Sequence, residues 1–285
     1  MDITRVCVVG GGTMGNGIAH VFALKGFEVT LVEARKELAD KALGVIAKNL
    51  DRQAAKGSIS AADKEAALSR LKTALSPEEA KGFHLAVEAV SERLELKKQV
   101  FRALDAAAAP GAILATNTSS LPVTEIAAAV KDPSRVIGMH FMNPVPVMKL
   151  VEIIRGLQTS DETCKTVHDL TAKLGKTPAM AKDFPGFVSN RVLMPMINEA
   201  IACLHEGISS RDDIDTIMKL GMAHPMGPLQ LADYIGLDVC LAIMGVLHEG
   251  FGDSKYRPAP LLKQMVQAGR LGVKSGAGFY EYPRK

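Results

Sequence analysis

The stretch GMHFMNPVPVMKLVEIIRG, residues 138–156, sets two ionisable side chains in apolar company. His140 closes one strand-like run, and Glu152 lies inside a second, among Met148, Leu150, Val151, Ile153 and Ile154. Ionisable groups are seldom fully buried unless something pairs with them. A turn built on Asn143, Pro144 and Pro146 separates the two runs, so neighbouring strands joined by it would bring the side chains together. Imidazole titrates near neutral pH and serves as a general base, while a carboxylate behind it fixes the tautomer and steadies the imidazolium. Removing the proton of an alcohol during dehydrogenation needs such a pair. Taken alone, His140 would equally suit a core histidine bonded to a backbone carbonyl.

A hydride acceptor is the other requirement, and the N-terminal segment VCVVGGGTMGNGIAHVFALKGFEVTLVEA points to one. Gly10-x-Gly12-x-x-Gly15 follows a strand-like run and opens a helical one. Glycines there permit a tight turn and close approach of backbone to a pyrophosphate, which the unpaired amides of a helix start would hold. Thr13 and Met14 complete this candidate cofactor loop. Glu33 closes the next strand-like run, 18 residues past Gly15, where an acid binds the adenosine ribose hydroxyls. Its charge would repel a 2′-phosphate, so NAD is expected rather than NADP, although Arg35 partly offsets the preference. The alternative is a glycine turn in an ordinary βαβ unit with Glu33 in solvent.

These residues must be positioned by an α/β framework. Strand patterns fall at 5–9, 28–32, 85–90, 113–116, 136–140, 148–154 and 177–181. Between the early ones, Met14, Ile18, Val21 and Phe22 share one helix face, and 36–56 and 95–108 also read as helices. Such alternation implies a parallel sheet covered on both faces. The run 36–71 is long for a crossover and is expected to stand off as a helical hairpin, breaking at Lys56-Gly57-Ser58. Beyond Asp183-Phe184-Pro185-Gly186, which carries turn chemistry, helices punctuated by glycine replace strands. Ser210 is the expected N-cap of one, with Gly221 its stop, and Gly236 then Asp238 mark another stop and start. The expected division is 1–183 and 184–285. The second part is apolar on more than one helix side, so packing against a second copy is expected.

With 47% hydrophobic and 23% charged residues the composition is that of a globular protein. A net charge of +3 is too mild to argue for nucleic acid. Four scattered cysteines, Cys7, Cys164, Cys203 and Cys240, form no CxxC pair and no metal-ligand cluster, so free thiols and no metal are expected. No apolar stretch approaches the roughly 18–20 residues of a membrane helix. The run from Met1-Asp2 into a strand leaves little room for a leader. A cytoplasmic protein without membrane partners is the expectation.

The segments GGGTMGNGIAH, TNTSSL, GMHFMNPVPVMKLVEII, DFPGFVSNRV, GPLQLADYIGLD and GRLGVKSGAGFYEY, in this order along the whole chain, resemble the 3-hydroxyacyl-CoA dehydrogenase family. Within it, the chain is most similar to the short bacterial enzymes of 3-hydroxybutyryl-CoA. The resemblance implies a Rossmann-type doubly wound NAD domain followed by an all-helical dimerisation domain. It also implies reversible oxidation of (S)-3-hydroxyacyl-CoA to 3-ketoacyl-CoA, as in fatty acid metabolism, by a homodimer. It makes His140 the base, Glu152 its partner, and Ser119 and Asn190 hydrogen-bonding groups near the reacting carbon. Glu92, Lys97, Asn117 and Asn143 match cofactor positions. Lys48, Arg52 and Lys56 share a helix face, and Arg52 and Lys56 match the side that meets the CoA nucleotide.

Plainer readings stand beside these: TNTSSL and SNRV as helix caps, Lys97 as a solvated lysine, and the basic stripe as a wet surface. Met142 departs from the family's second aromatic after His-Phe. Rival functions are a dehydrogenase of a free hydroxyacid or sugar acid, or a non-catalytic NAD-binding relative.

Overall fold

The computed structural model describes residues 2–283. The chain divides into two compact units between Asp183 and Phe184.

The first unit alternates strand and helix. It runs β1 (Arg5–Val9), α1 (Thr13–Leu24), β2 (Glu28–Val32), α2 (Lys36–Ala55), α3 (Ala61–Ser69), β3 (Leu71–Ala74), β4 (Leu85–Glu88), α4 (Leu94–Ala107) and β5 (Ile113–Thr116). It continues with α5 (Val123–Ala127), β6 (Val136–Phe141), β7 (Leu150–Arg155), α6 (Asp161–Lys173) and β8 (Thr177–Lys182). The strands form one eight-stranded sheet in the order β3-β2-β1-β4-β5-β6-β7-β8. The order reverses between β1 and β4, where doubly wound sheets open a ligand crevice at the carboxyl ends of their strands.

The sheet is parallel throughout except at one place: β6 and β7 pair antiparallel, while every other neighbour pair is parallel. The short turn at 142–149 has no room for a crossover helix, so the chain must reverse there. Strand β3 carries no expectation above. Its four residues LKTA place two exposed side chains in the middle and follow α3 without a glycine stop, so they lack strand periodicity.

The 36–71 segment is a helical hairpin, but it does not stand off. Ile46 and Leu50 of α2 and Ala67 of α3 are fully buried in the same core as Ile18 and Phe22 of α1. Ser60 starts α3 with a reciprocal cap: its Oγ accepts from the Asp63 amide at 3.0 Å, and Asp63 Oδ2 accepts from the Ser60 amide at 3.0 Å.

The second unit contains α7 (Ser189–His205), α8 (Arg211–Leu220), α9 (Pro228–Ile235), α10 (Leu237–Phe251) and α11 (Pro260–Gln267). Ser210 caps α8, with its Oγ accepting from the Asp213 amide, and Gly221 ends it. Gly236, at φ +102°, is both the end of α9 and the start of α10. The core joins Met194, Ile197 and Ile201 of α7 to Leu229, Met244, Leu247 and Leu262. Two buried aspartates organise its polar interior. Asp215 accepts from the amides of Leu229 and Gln230 at the start of α9 and from the Tyr280 hydroxyl. Asp233 accepts from the amides of Phe279 and Tyr280 and from the Tyr282 hydroxyl, docking the C-terminal segment. A Cβ at Gly278 would stand 1.9 Å from Asp233 Oδ1, which explains the glycine in that segment. Among the described residues no single helix is long and apolar enough to cross a membrane.

Candidate active site

The β6–β7 register answers why histidine and glutamate sit in apolar runs. His140 and Glu152 are direct partners across the antiparallel pair, so their side chains leave the same face. His140 Nδ1 lies 3.0 Å from Glu152 Oε2, and both residues are buried. The pairing places an imidazole at the carboxyl end of β6 with one ring nitrogen engaged by a carboxylate.

Neighbouring strand ends converge on the same edge. Asn117, just past β5, donates its amide to the Glu88 carbonyl and accepts at Oδ1 from the Phe141 amide at 2.9 Å, tying β4, β5 and β6 together beside His140. Ser119 follows in the same loop. Glu92 Oε1 accepts from the Ser119 amide at 2.9 Å and from the Thr118 hydroxyl. The TNTSSL segment therefore does more than cap a helix. Its backbone is folded around one carboxylate, and the helix after it starts at Val123, with its first amides held by Asp183.

Lys97 is not a solvated lysine. At 1% exposure it reaches Glu88 Oε1 at 2.7 Å and Glu92 Oε2 at 3.2 Å. Glu88 also accepts from the Thr116 hydroxyl and the Val90 amide, each at 2.7 Å. Burial raises the Glu88 carboxyl, against the pull of Lys97. Burial acts the same way on Glu92, but the Lys97 ammonium and the Thr118 hydroxyl outweigh it and hold that carboxyl below the usual range. One lysine thus bridges two acids, one ending β4 and one folding the Ser119 loop. Glu88, Thr116 and Thr118 were not singled out from sequence. The available signal was a glutamate ending the apolar run LAVE, the same signature that marked Glu152.

The cofactor cradle lies at the β1–β4 switch point. A Cβ at Gly15 would fall 1.6 Å from the Gly10 carbonyl oxygen, so only glycine lets α1 start so close to the turn. A Cβ at Gly12 would meet nothing within 4 Å, which leaves the mouth of the loop open. No side chain caps the start of α1 and no acid sits in its first turn, so its dipole end and amides face an anion site. A crevice of about 800 Å³ runs from Gly10, Thr13 and Met14 past Glu33 to Val100 of α4. A second hollow of about 440 Å³ is lined by Gly12, Glu33 and Asn143. Glu33 Oε1 accepts from the Gly11 amide at 2.6 Å, holding its carboxylate at the crevice wall. Glycine loop, open helix end and acidic wall together fit an NAD molecule.

Asn190 lies in the second unit, in the first turn of α7, where its amide donates to the Gly186 carbonyl. Arg52 on α2 and Lys56 just past it are exposed. Lys36, Lys64 and Lys98 are also surface cations, but each is held by a neighbouring acid. Among the described residues no three His, Cys, Asp or Glu side chains gather as metal ligands.

Comparison with known proteins agrees with this geometry. Residues 5–184 match the model of the 3-hydroxyacyl-CoA dehydrogenase NAD binding domain, and residues 186–282 match that of the 3-hydroxyacyl-CoA dehydrogenase C-terminal domain. The chain is 54% identical to "Probable 3-hydroxybutyryl-CoA dehydrogenase" of Bacillus subtilis, over 100% of this chain and 99% of that one. It is 50% identical to 3-hydroxybutyryl-CoA dehydrogenase of Bradyrhizobium diazoefficiens, over 98% and 96% of the two chains. The crystal structure of (S)-3-hydroxybutyryl-CoA dehydrogenase from Ralstonia eutropha superposes with a TM-score of 0.97 at 48% identity, covering 99% of this chain and 100% of that one. The chain therefore belongs to the 3-hydroxyacyl-CoA dehydrogenase family and is an NAD-dependent oxidoreductase of that family.

Proposed function

We propose that the chain catalyses reversible oxidation of a short-chain (S)-3-hydroxyacyl-CoA, 3-hydroxybutyryl-CoA, to the 3-ketoacyl-CoA, working as a cytoplasmic homodimer. The observation that carries this reading is the buried pairing of His140 Nδ1 with Glu152 Oε2 at 3.0 Å, on the strand that follows β4 and β5 in the sheet order from the glycine crevice. The relatives' names supply the acyl-CoA.

NAD, when bound, supplies the acceptor for the hydride on C3. With Nδ1–H directed at Glu152, Nε2 of His140 is the basic nitrogen and takes the 3-hydroxyl proton. Glu152 stabilises the imidazolium that results, and in the reverse direction Nε2 returns the proton. Ser119 and Asn190 hydrogen-bond the oxygen that becomes a carbonyl. Glu92 fixes the Ser119 loop, with Lys97 holding Glu92. Asn117 and Asn143 border the nicotinamide half of the cofactor site. Gly10, Gly12, Thr13, Met14 and Gly15 hold the pyrophosphate, and Glu33 the ribose. Arg52 and Lys56 meet the CoA phosphates. In the second unit Val192, Ile217, Leu220 and Met222 stay exposed, and apolar surface of this kind supports pairing with a second copy.

The test is NADH oxidation with acetoacetyl-CoA beside free acetoacetate, repeated with NADPH. Fast turnover of the thioester with NADH and slow turnover of the free acid are expected. Equal rates on the two substrates would move the chain to the free-hydroxyacid reading, and no turnover of either would favour a non-catalytic NAD-binding role.

A further inference from the structure

The turn between β6 and β7, residues 142–149, joins the two strands that pair His140 with Glu152, and it carries Asn143. Residues 143–146 line one hollow together with Gly12, Thr13 and Glu33 of the cofactor cradle. Within the turn, the Val147 and Met148 amides both donate to the Pro144 carbonyl, at 3.0 and 2.9 Å. A segment with so few bonds of its own needs outside support to keep one position.

Two elements supply that support. Val145 is buried, and a Cβ on Gly17 of α1 would stand 2.8 Å from the Val145 Cβ, so the turn lies as close to α1 as a glycine permits. The other support is Lys176, whose Nζ donates to the carbonyls of Val145 at 2.6 Å and Met148 at 2.7 Å. Local sequence delivers this side chain. Helix α6 stops before buried Leu174, Gly175 takes φ +75°, and the Lys176 amide donates back to the Thr171 carbonyl. The next amide, of Thr177, donates to the Lys149 carbonyl at 2.7 Å, where the turn ends.

Lys97, the other buried lysine, meets two carboxylates. Lys176 is 9% exposed and bonds two carbonyls instead. Burial lowers its pKa, because an ammonium out of water and away from a carboxylate is costly. Charge-assisted bonds offset part of that cost. A neutral side chain of similar length would fill the space at less cost, so the charge acts on the turn.

We infer that Lys176 is a positioning residue of the dehydrogenase: its ammonium fixes the β6–β7 turn, and through the turn it sets Asn143 against the nicotinamide half of the cofactor. The inference rests on the role of Asn143 proposed above.

The test compares wild type with Lys176→Met, which keeps the stem and removes the charge, and with Gly17→Ala, which displaces the same turn through α1. Each is titrated calorimetrically with NADH and with ADP-ribose, which lacks the nicotinamide. Both variants should bind NADH about tenfold more weakly and ADP-ribose as the wild type does. Their kcat with acetoacetyl-CoA should fall by about 10²-fold, as for a misplaced reacting group. Wild-type NADH affinity and kcat, whatever the urea midpoint, would reduce Lys176 to a structural contact and overturn the inference. So would parallel weakening of NADH and ADP-ribose. Should Lys176→Met fail to fold, Gly17→Ala decides on the same criteria. A wild-type chain without turnover of acetoacetyl-CoA would reject the activity, while the ratio of the two dissociation constants would still decide the role of Lys176.

Discussion

At the residue scale, burial decides which side chains can act and which cannot. Glu152 lies opposite His140 on an adjoining strand, and its charge is what an imidazolium needs. Glu152→Gln keeps the size and removes the charge, so kcat should fall by roughly 10²-fold or more, and a fully active variant would reduce Glu152 to a core contact. Burial has the opposite consequence for the thiols. It pushes Cys7 and Cys240 up to about 12, so at pH 8 both stay protonated and poorly nucleophilic. Iodoacetamide at that pH should leave them unmodified in the native chain and label them once urea unfolds it, as mass spectrometry would report. Above about pH 9 the unfolded chain releases these protons while the folded chain keeps them, so their contribution lowers stability as pH rises towards 12. His140 and Glu152 were legible in sequence because each interrupts an apolar run. Glu88 carried the same mark, but its partner Lys97 sits nine residues away on a helix, with no spacing rule to connect them. The buried Lys97 bridge became visible only when α4 was laid against β4.

Elements follow from local chemistry where a start, a stop and a period coincide. The strands at 5–9, 28–32 and 113–116, the α8 cap at Ser210 and the double role of Gly236 were all readable for that reason. Strand β3 was not, because its pairing with β2 rather than its own four residues makes it a strand. The packing of the hairpin against α1 was also hidden, since the Ala-rich face of α2 reads alike for a packed or a free hairpin. In the second unit, an aspartate from one helix substitutes for the missing cap of another. Asp215 satisfies two amides at the start of α9, a helix whose Gly227 cap has no side chain. Asp215→Ala would strand those amides and the Tyr280 hydroxyl in a buried setting, at a cost of about 1–3 kcal/mol. A urea midpoint equal to that of the wild type would contradict this role.

For the whole molecule, the order of the motifs along the chain carried the family, and the domain boundary at Asp183-Phe184 coincides with the turn chemistry read there. What no pattern could supply was which apolar helix faces end up inside the second unit. Leu241, Val246 and Val239 looked alike with Met244 and Leu247, yet only the last two are fully enclosed, and Val239 is 39% exposed. Self-association would cover exposed side chains such as Leu220 and Met222. Sedimentation at micromolar concentration should give a dimer, and a monomer across that range would refute the homodimer.

Most directly decisive is kcat for NADH oxidation by acetoacetyl-CoA in His140→Ala, measured with the NADH dissociation constant of the same preparation. A fall of about 10² to 10⁴-fold with NADH binding unchanged is expected if His140 carries the proton. Turnover close to that of the wild type would show that the imidazole of His140 is not the base.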